Sequence, residues 1–138
     1  MTPVLEFRQR VPLRWRDMDM LGHLNQSVYH ELLEEGRAGL ISELIGRLGD
    51  ARDGGAFVMA HVDLDYHAEV RKDHGEVEVI VSLERVGTSS LTLHHEVRHL
   101  DGTLAASGSA VIVAWDPSRR GKRALTDAER AVLSDPVM

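Results

Sequence analysis

From Asn25 onward the apolar residues of this chain change period, and that change limits the fold more than any other feature. Tyr29, Leu33, Gly36, Leu40, Leu44 and Leu48 recur at spacings of three and four, which is one face of an α-helix. Glu31, Glu34, Glu35, Arg37 and Glu43 fill much of the remaining surface. Either Asn25 or Ser27 can cap the start, and Gly49 offers a stop. The spacing predicts one helix of roughly 20 residues. Gly36 and Gly39 lie inside it, each at a cost of about 1 kcal/mol against alanine. Because Gly36 falls on the apolar stripe, a sheet is expected to approach the helix closely there.

The other apolar segments follow a period of two. Residues 4–16 read as a first strand through Val4, Phe7, Val11, Leu13 and Trp15. Residues 50–55 are a loop by composition. In residues 57–71, Val58, Ala60, Val62, Leu64, Tyr66 and Ala68 alternate with Met59, His61, Asp63, Asp65, His67 and Glu69. Residues 76–86 turn Val77, Val79, Val81 and Leu83 inward, and residues 91–99 do so with Leu91, Leu93, His95 and Val97. Gly87–Ser90 is a turn between these strands, and Asp101-Gly102 is a tight-turn signal before a last strand at 104–115. Thr126 followed by Glu129 has the capping-box pattern of a short helix. One strand, one long helix and four strands joined by short turns imply antiparallel neighbours. The expected class is α+β, a five-stranded antiparallel sheet on one long central helix plus a short C-terminal helix.

Bulk properties narrow the function. A chain of 138 residues fits one domain over 1–138, and burying roughly 68% of its surface gives it a real core. It has no cysteine, so disulfides, thiolate zinc sites and cysteine nucleophiles are excluded. The net charge of -6 argues against a general affinity for nucleic acid. An anionic ligand must then be met by local cations. No apolar run approaches the roughly 20 residues of a membrane span, and no leader-like segment is visible at the N-terminus. A cytoplasmic location without membrane partners is expected.

Arg14 to Tyr29 is the segment richest in chemistry. Asp17, Asp19, His23 and Asn25 stand in a short turn containing Gly22, directly before the long helix. A helix start offers free N–H groups and a positive dipole end, which suit a developing negative charge. Asp before a helix is commonly a cap, and Asp17 and Asn25 are read so. Gly22, His23 and Asn25 around it favour a chemical role for Asp19. His23 either bonds within the turn or reacts. Glu34 and Glu35 read as a solvated helix face.

Other clusters carry less. His61, Asp63, Asp65 and His67 share a strand face whose composition suits a metal. Residues six apart on a strand are roughly 20 Å apart, however, so no metal is expected. His94, His95 and His99 are read similarly. Arg119, Arg120, Lys122 and Arg123 are the one dense basic run; it either meets phosphates or is solvated. The Gly87–Ser90 turn either faces a ligand or is a plain hairpin.

The motif Asp-x-Asp-x-x-Gly-His-x-Asn at 17–25, then a long helix with Tyr29 and Glu34-Glu35-Gly36-Arg37, then four strands, resembles the hotdog-fold acyl thioesterases. It is most similar to the 4-hydroxybenzoyl-CoA-thioesterase-like family, and the turn also resembles that of plant acyl-ACP thioesterases. Element order matches over nearly the whole chain, and Arg14–Arg37 holds the motif residues. The resemblance implies a sheet curled round the helix, in homodimers or homotetramers with sites at the interface. It implies hydrolysis of an acyl-CoA or acyl-ACP thioester without a cofactor. Asp19 would be the catalytic base or nucleophile, and the Gln26 backbone N–H the oxyanion donor. His23 matches the histidine of the acyl-ACP branch, and Glu34 an acid of the wider family. Where that branch has an asparagine this chain has Leu21, so Asp19 with the helix start is the minimal site. Asn25, Tyr29, Thr88, Ser89, Ser90, Arg119 and Arg120 are the expected substrate contacts. A non-catalytic acyl-CoA binding protein, a hotdog dehydratase or hydratase using His23, and a histidine-rich metal protein stay open as alternatives.

Overall fold

The long helix α1 (Gln26–Leu48) is capped as expected: the Asn25 side chain accepts the Ser27 N–H at 3.0 Å, and Gly49 ends the helix at φ 56°. The computed structural model describes residues 5–49 and 56–134. The expected loop at 50–55, and Val4, lie outside them. The other elements are β1 (Glu6–Pro12), β2 (Phe57–Val62), β3 (Asp65–Tyr66), β4 (Glu76–Val86), β5 (Ser90–His99), β6 (Leu104–Asp116), β7 (Gly121–Lys122) and α2 (Asp127–Ser134).

Five strands run antiparallel in the order β1-β4-β5-β6-β2, and the two-residue strands β3 and β7 pair with β6. The sheet curls round α1, the hotdog arrangement. Val28, Tyr29, Leu32, Leu33, Leu40 and Leu44 of the helix are buried with Val77, Val79, Val81, Leu93 and Val97 of the sheet. At Gly36 the sheet approaches the helix closely, as its place on the apolar stripe implies. A Cβ there would lie 2.8 Å from Val81 Cγ2 and 3.0 Å from Val79 Cγ1. Gly39 is likewise filled, by the Phe7 ring.

The first strand is shorter than the alternation predicts. It ends at Pro12, and Trp15–Asp17 form a 3-10 turn with Trp15 80% exposed. The cause is local: the Arg14 N–H donates to Asp17 Oδ2 at 2.9 Å and closes the turn. Residues 57–71 are not one strand. A bulge between Met59 and His61 breaks the alternation of β2. Asp63 then turns its carboxylate to the Ser109 N–H and Oγ, at 3.0 and 2.7 Å. Val58 and Val62, on one side of that alternation, and Met59, on the other, are all exposed on an edge strand. Nor do the last four strands form a simple meander. β4, β5 and β6 do, while β2 crosses to the far side of β6.

At the other end, Thr126 and Glu129 form the capping box reciprocally, at 2.8 and 3.0 Å. Glu129 is fully buried and also binds Arg123 Nη1 at 2.7 Å. Among the described residues no helix is long and apolar enough to cross a membrane.

Candidate active site

Between β1 and α1 the chain folds back on itself. Burial opposes the charge of Asp17, but the Arg14 hydrogen bonds and guanidinium outweigh it and hold this carboxyl below its ordinary range. The Asp17 carbonyl accepts the Asn25 N–H at 2.8 Å, and Met18 and Leu24 face each other as an antiparallel bridge. Asp17 is thus the clasp of the turn. Gly22, at φ 79°, supplies the left-handed step that the reversal needs.

Asp19 sits at the tip. Its Oδ1 accepts the N–H groups of Leu21 and His23 at 2.9 and 3.1 Å. Its Oδ2 has no hydrogen-bond donor among the described residues. A few residues on, Gln26 opens α1, and its N–H has no acceptor among the described residues. It is one of the orphan amides of a helix start.

The turn is laced to the segment after β3: the Leu24 N–H donates to the Val70 carbonyl at 2.7 Å, and His23 bridges Arg71. Between them opens a cleft of about 460 Å³ lined by Asp19, His23, Gln26, Tyr29, Tyr66 and Glu69 among others. His23 Nε2 lies 3.1 Å from Glu69 Oε1, and Arg71 Nη1 stands 3.5 Å from the same oxygen. Tyr29 and Tyr66 meet edge to face with ring centroids 5.0 Å apart. Burial, with Tyr66 beside it, pushes the Tyr29 hydroxyl up to about 12, so it stays protonated.

Asp19, His23, Gln26 and Tyr29 therefore come together, with Asn25 beside them as the cap. Glu34 does not join them. It is exposed further along α1, near Arg37, whose Nη1 is buried with no hydrogen-bond partner among the described residues. Thr88, Ser89, Ser90, Arg119 and Arg120 lie at the opposite end of the sheet within one chain. Thr88 and Ser89 accept backbone N–H groups from Leu125 and Ala114. Arg119 donates to the Lys122 carbonyl at 2.5 Å. From Ala106, opposite Tyr66, β6 runs roughly 30 Å to Asp116 at about 3.3 Å per residue.

Sequence reasoning missed Tyr66, His67 and Glu69 as cleft residues. The strand pattern contained them, but nothing in their spacing says which end of it meets the Asp19 turn. The histidines on the sheet are engaged locally: His61 with Asp63 at 2.9 Å, His67 with Ser107 at 2.8 Å, and buried His95 with the Asp63 carbonyl at 2.8 Å. Ser109 and then His61 draw the Asp63 carboxyl down to about 2. Among the described residues no three His, Asp or Glu side chains converge for a metal ion.

A curled antiparallel sheet holding one long helix, with an acidic turn at that helix's amide end opening on a cleft, defines a hotdog domain with a built candidate site. The chain belongs to the thioesterase-like superfamily, whose family model matches residues 13–135. It is similar in structure to a predicted thioesterase from Bacillus stearothermophilus: TM-score 0.81, 25% identity, covering 96% of this chain and 97% of that one. It is also similar to a thioesterase from Thermus thermophilus complexed with coenzyme A and zinc: TM-score 0.70, 32% identity, covering 92% and 91%. A variant of 4-hydroxybenzoyl-CoA thioesterase with 4-hydroxybenzoyl-CoA shares the fold, with TM-score 0.78 at 11% identity, over 95% of this chain and 100% of that one.

Proposed function

We propose that this protein hydrolyses an acyl-CoA thioester to the free acid and coenzyme A, with Asp19 as general base or nucleophile. One observation carries the reading: a carboxylate with one oxygen tied by its own turn and the other free stands on the same cleft as the unaccepted Gln26 N–H. A thioester carbonyl lying over the start of α1 receives the Gln26 N–H. The Asp19 carboxylate then either takes a proton from a water that attacks the carbonyl carbon, or attacks that carbon itself to give an anhydride that water hydrolyses after the thiolate has left. The oxyanion forms against that amide and the positive helix end, where one donor is worth on the order of 3 kcal/mol. Collapse of the intermediate expels the thiolate of coenzyme A. The complex of the Thermus thermophilus relative with coenzyme A supports the choice of carrier.

The proposal includes a homodimer or homotetramer. β2 is an edge strand with Val58, Met59 and Val62 exposed, as an interface strand would be. Antiparallel pairing of two copies along β2 sets the Phe57 end of one beside the Val62 end of the other. That brings Thr88–Ser90 and Arg119–Arg120 of the partner subunit toward the cleft, which is how they would join the site.

The test is thiol release from a panel of acyl-CoAs, with Asp19→Asn as the control; equal rates for the two proteins would remove Asp19 from the mechanism. The His23–Glu69 pair favours a second reading, proton transfer on a hydroxyacyl or enoyl thioester. Enoyl product without thiol release would establish that reading instead.

A further inference from the structure

The start of α1 has a single amide to spare. Of its first four N–H groups, that of Ser27 is taken by the Asn25 side chain at 3.0 Å. Those of Val28 and Tyr29 are taken by the Asn25 carbonyl, at 2.9 and 3.3 Å. Among the described residues only the Gln26 N–H is left without an acceptor. A carbonyl oxygen that becomes an oxyanion has lone pairs for more than one donor, and oxyanion sites commonly supply two. On amides alone, the start of α1 is one donor short.

A side chain in the cleft has a donor to offer. Tyr29 is only 4% exposed and lines the cleft, and its hydroxyl has no hydrogen-bond partner among the described residues. A buried donor left unmade is costly and uncommon, so it calls for a reason. The cleft histidines are already engaged, His23 with Glu69 and His67 with Ser107. Tyr66 also lines the cleft, but it is half in solvent.

Position 29 follows Gln26 by three residues, so the two are neighbours on the helix surface. Long side chains on a helix lean toward its N-terminus, which lays the Tyr29 ring over the turn that Gln26 opens. Tyr29 shares the cleft with Asp19, His23 and Gln26, which precede it in the chain, as that lean requires. Tyr66 packs edge to face against the ring and holds it. A phenol is neutral, so it adds no cation to tie up the Asp19 carboxylate.

We infer that the Tyr29 hydroxyl is the second donor to the thioester oxygen, beside the Gln26 N–H. It keeps its proton, and its hydrogen bond strengthens as that oxygen gains charge. Its part in turnover rests on the hydrolase reading above; its bond to a bound carbonyl does not.

Tyr29→Phe keeps the ring against Tyr66 and removes a hydroxyl that bonds to nothing in the protein. Circular dichroism and the urea midpoint check that the fold is kept. On the acyl-CoA turned over best in a panel, kcat should fall about 10²-fold with KM little changed. That factor should hold from about pH 6 to about pH 9, because the hydroxyl stays protonated up to about 12. Two analogues of butyryl-CoA read the contact without turnover. One is the ketone, with a methylene in place of the thioester sulfur; the other is the thioether, with a methylene in place of the carbonyl. Calorimetry on the full chain should show the wild type preferring the ketone. Tyr29→Phe should lose roughly three- to tenfold of that preference and bind the thioether as before. An unchanged kcat, a kcat factor that varies with pH, no preference for the ketone in the wild type, or an equal loss on both analogues overturns the proposal. Loss of ketone preference in Tyr29→Phe, with no thiol release by the wild type from any acyl-CoA, would keep the donor and remove the hydrolase reading.

Discussion

Asp19 and His23 clasp each other through two hydrogen bonds of opposite sense. The Asp19 N–H donates to the His23 carbonyl at 2.8 Å, and the His23 N–H donates to Asp19 Oδ1 at 3.1 Å. The carboxylate is thus aimed by its own backbone loop, with Oδ2 left over. Asparagine keeps an acceptor oxygen for the His23 and Leu21 amides, so Asp19→Asn is expected to fold. Loss of the charged oxygen should lower kcat on acyl-CoA by about 10²–10⁴-fold, as for removal of a positioned base. Thiol-release kinetics beside a circular dichroism spectrum check both halves.

The oxyanion role belongs to a backbone amide, so side-chain deletion tests it poorly. Proline tests it well. Position 26 is the first residue of α1, where proline is favoured, and Asn25 before it has φ -64° and ψ 138°, which a following proline accepts. Gln26→Pro should keep the helix and lose about 10²–10³ in kcat. Gln26→Ala should stay near wild type. If both retain full activity, another donor holds the carbonyl oxygen.

Two helix glycines should respond oppositely to alanine. At Gly46 an added Cβ meets nothing within 4 Å, so Gly46→Ala should stabilise by up to about 1 kcal/mol. At Gly36 the new methyl would lie 2.8 Å from Val81 Cγ2. Overpacking of about 1–3 kcal/mol then outweighs the gain in helix propensity. Urea midpoints should move in opposite directions.

Glu129 is fully buried and holds Arg123 through both carboxylate oxygens, at 2.7 and 2.9 Å. Removing it leaves the guanidinium with backbone carbonyls but no counter-charge, and takes the acceptor from the Thr126 amide. Glu129→Ala should cost about 3–5 kcal/mol, read as a fall in the denaturant midpoint. An unchanged midpoint would mean that α2 contributes nothing to the cooperative unit.

His95 should make stability pH-dependent. Burial is the main cause of its lowered pKa, opposed by its bond to the Asp63 carbonyl and reinforced by nearby Arg37 and His94. A histidine titrating lower when folded leaves the unfolded chain to bind the proton first. Its contribution is complete above the unfolded pKa of about 6.5 and is lost as pH falls through and below it. Asp63, held at about 2, begins to matter only under about pH 4. The drop in urea midpoint from about pH 7.5 to about pH 5.5 should therefore shrink in His95→Gln.

The residues that specify α1 were legible because helical period, cap and stop act within a few residues of one another. Asn25, Leu33, Leu40, Leu44 and Gly49 each do what their spacing implies, and Gly36 sits under the sheet as its place on the stripe implies. The Thr126–Glu129 box is equally local. The motif at 17–25 marked the turn and its acid for the same reason. Two of its polar side chains, those of Asp17 and Asn25, were read as caps, and each hydrogen-bonds within the turn or the helix start.

Only the tertiary structure decided what long-range pairing decides. The alternation of residues 57–71 carries no sign that Ser109 draws Asp63 out of the strand, or that β2 pairs with β6 rather than β4. Glu69 reaches His23 because Leu24 binds Val70, a contact with no trace in local spacing. Trp15 alternates as a core residue should and is left in solvent: the Arg14–Asp17 bond ends the strand pattern, and the sheet does not cover the turn that follows.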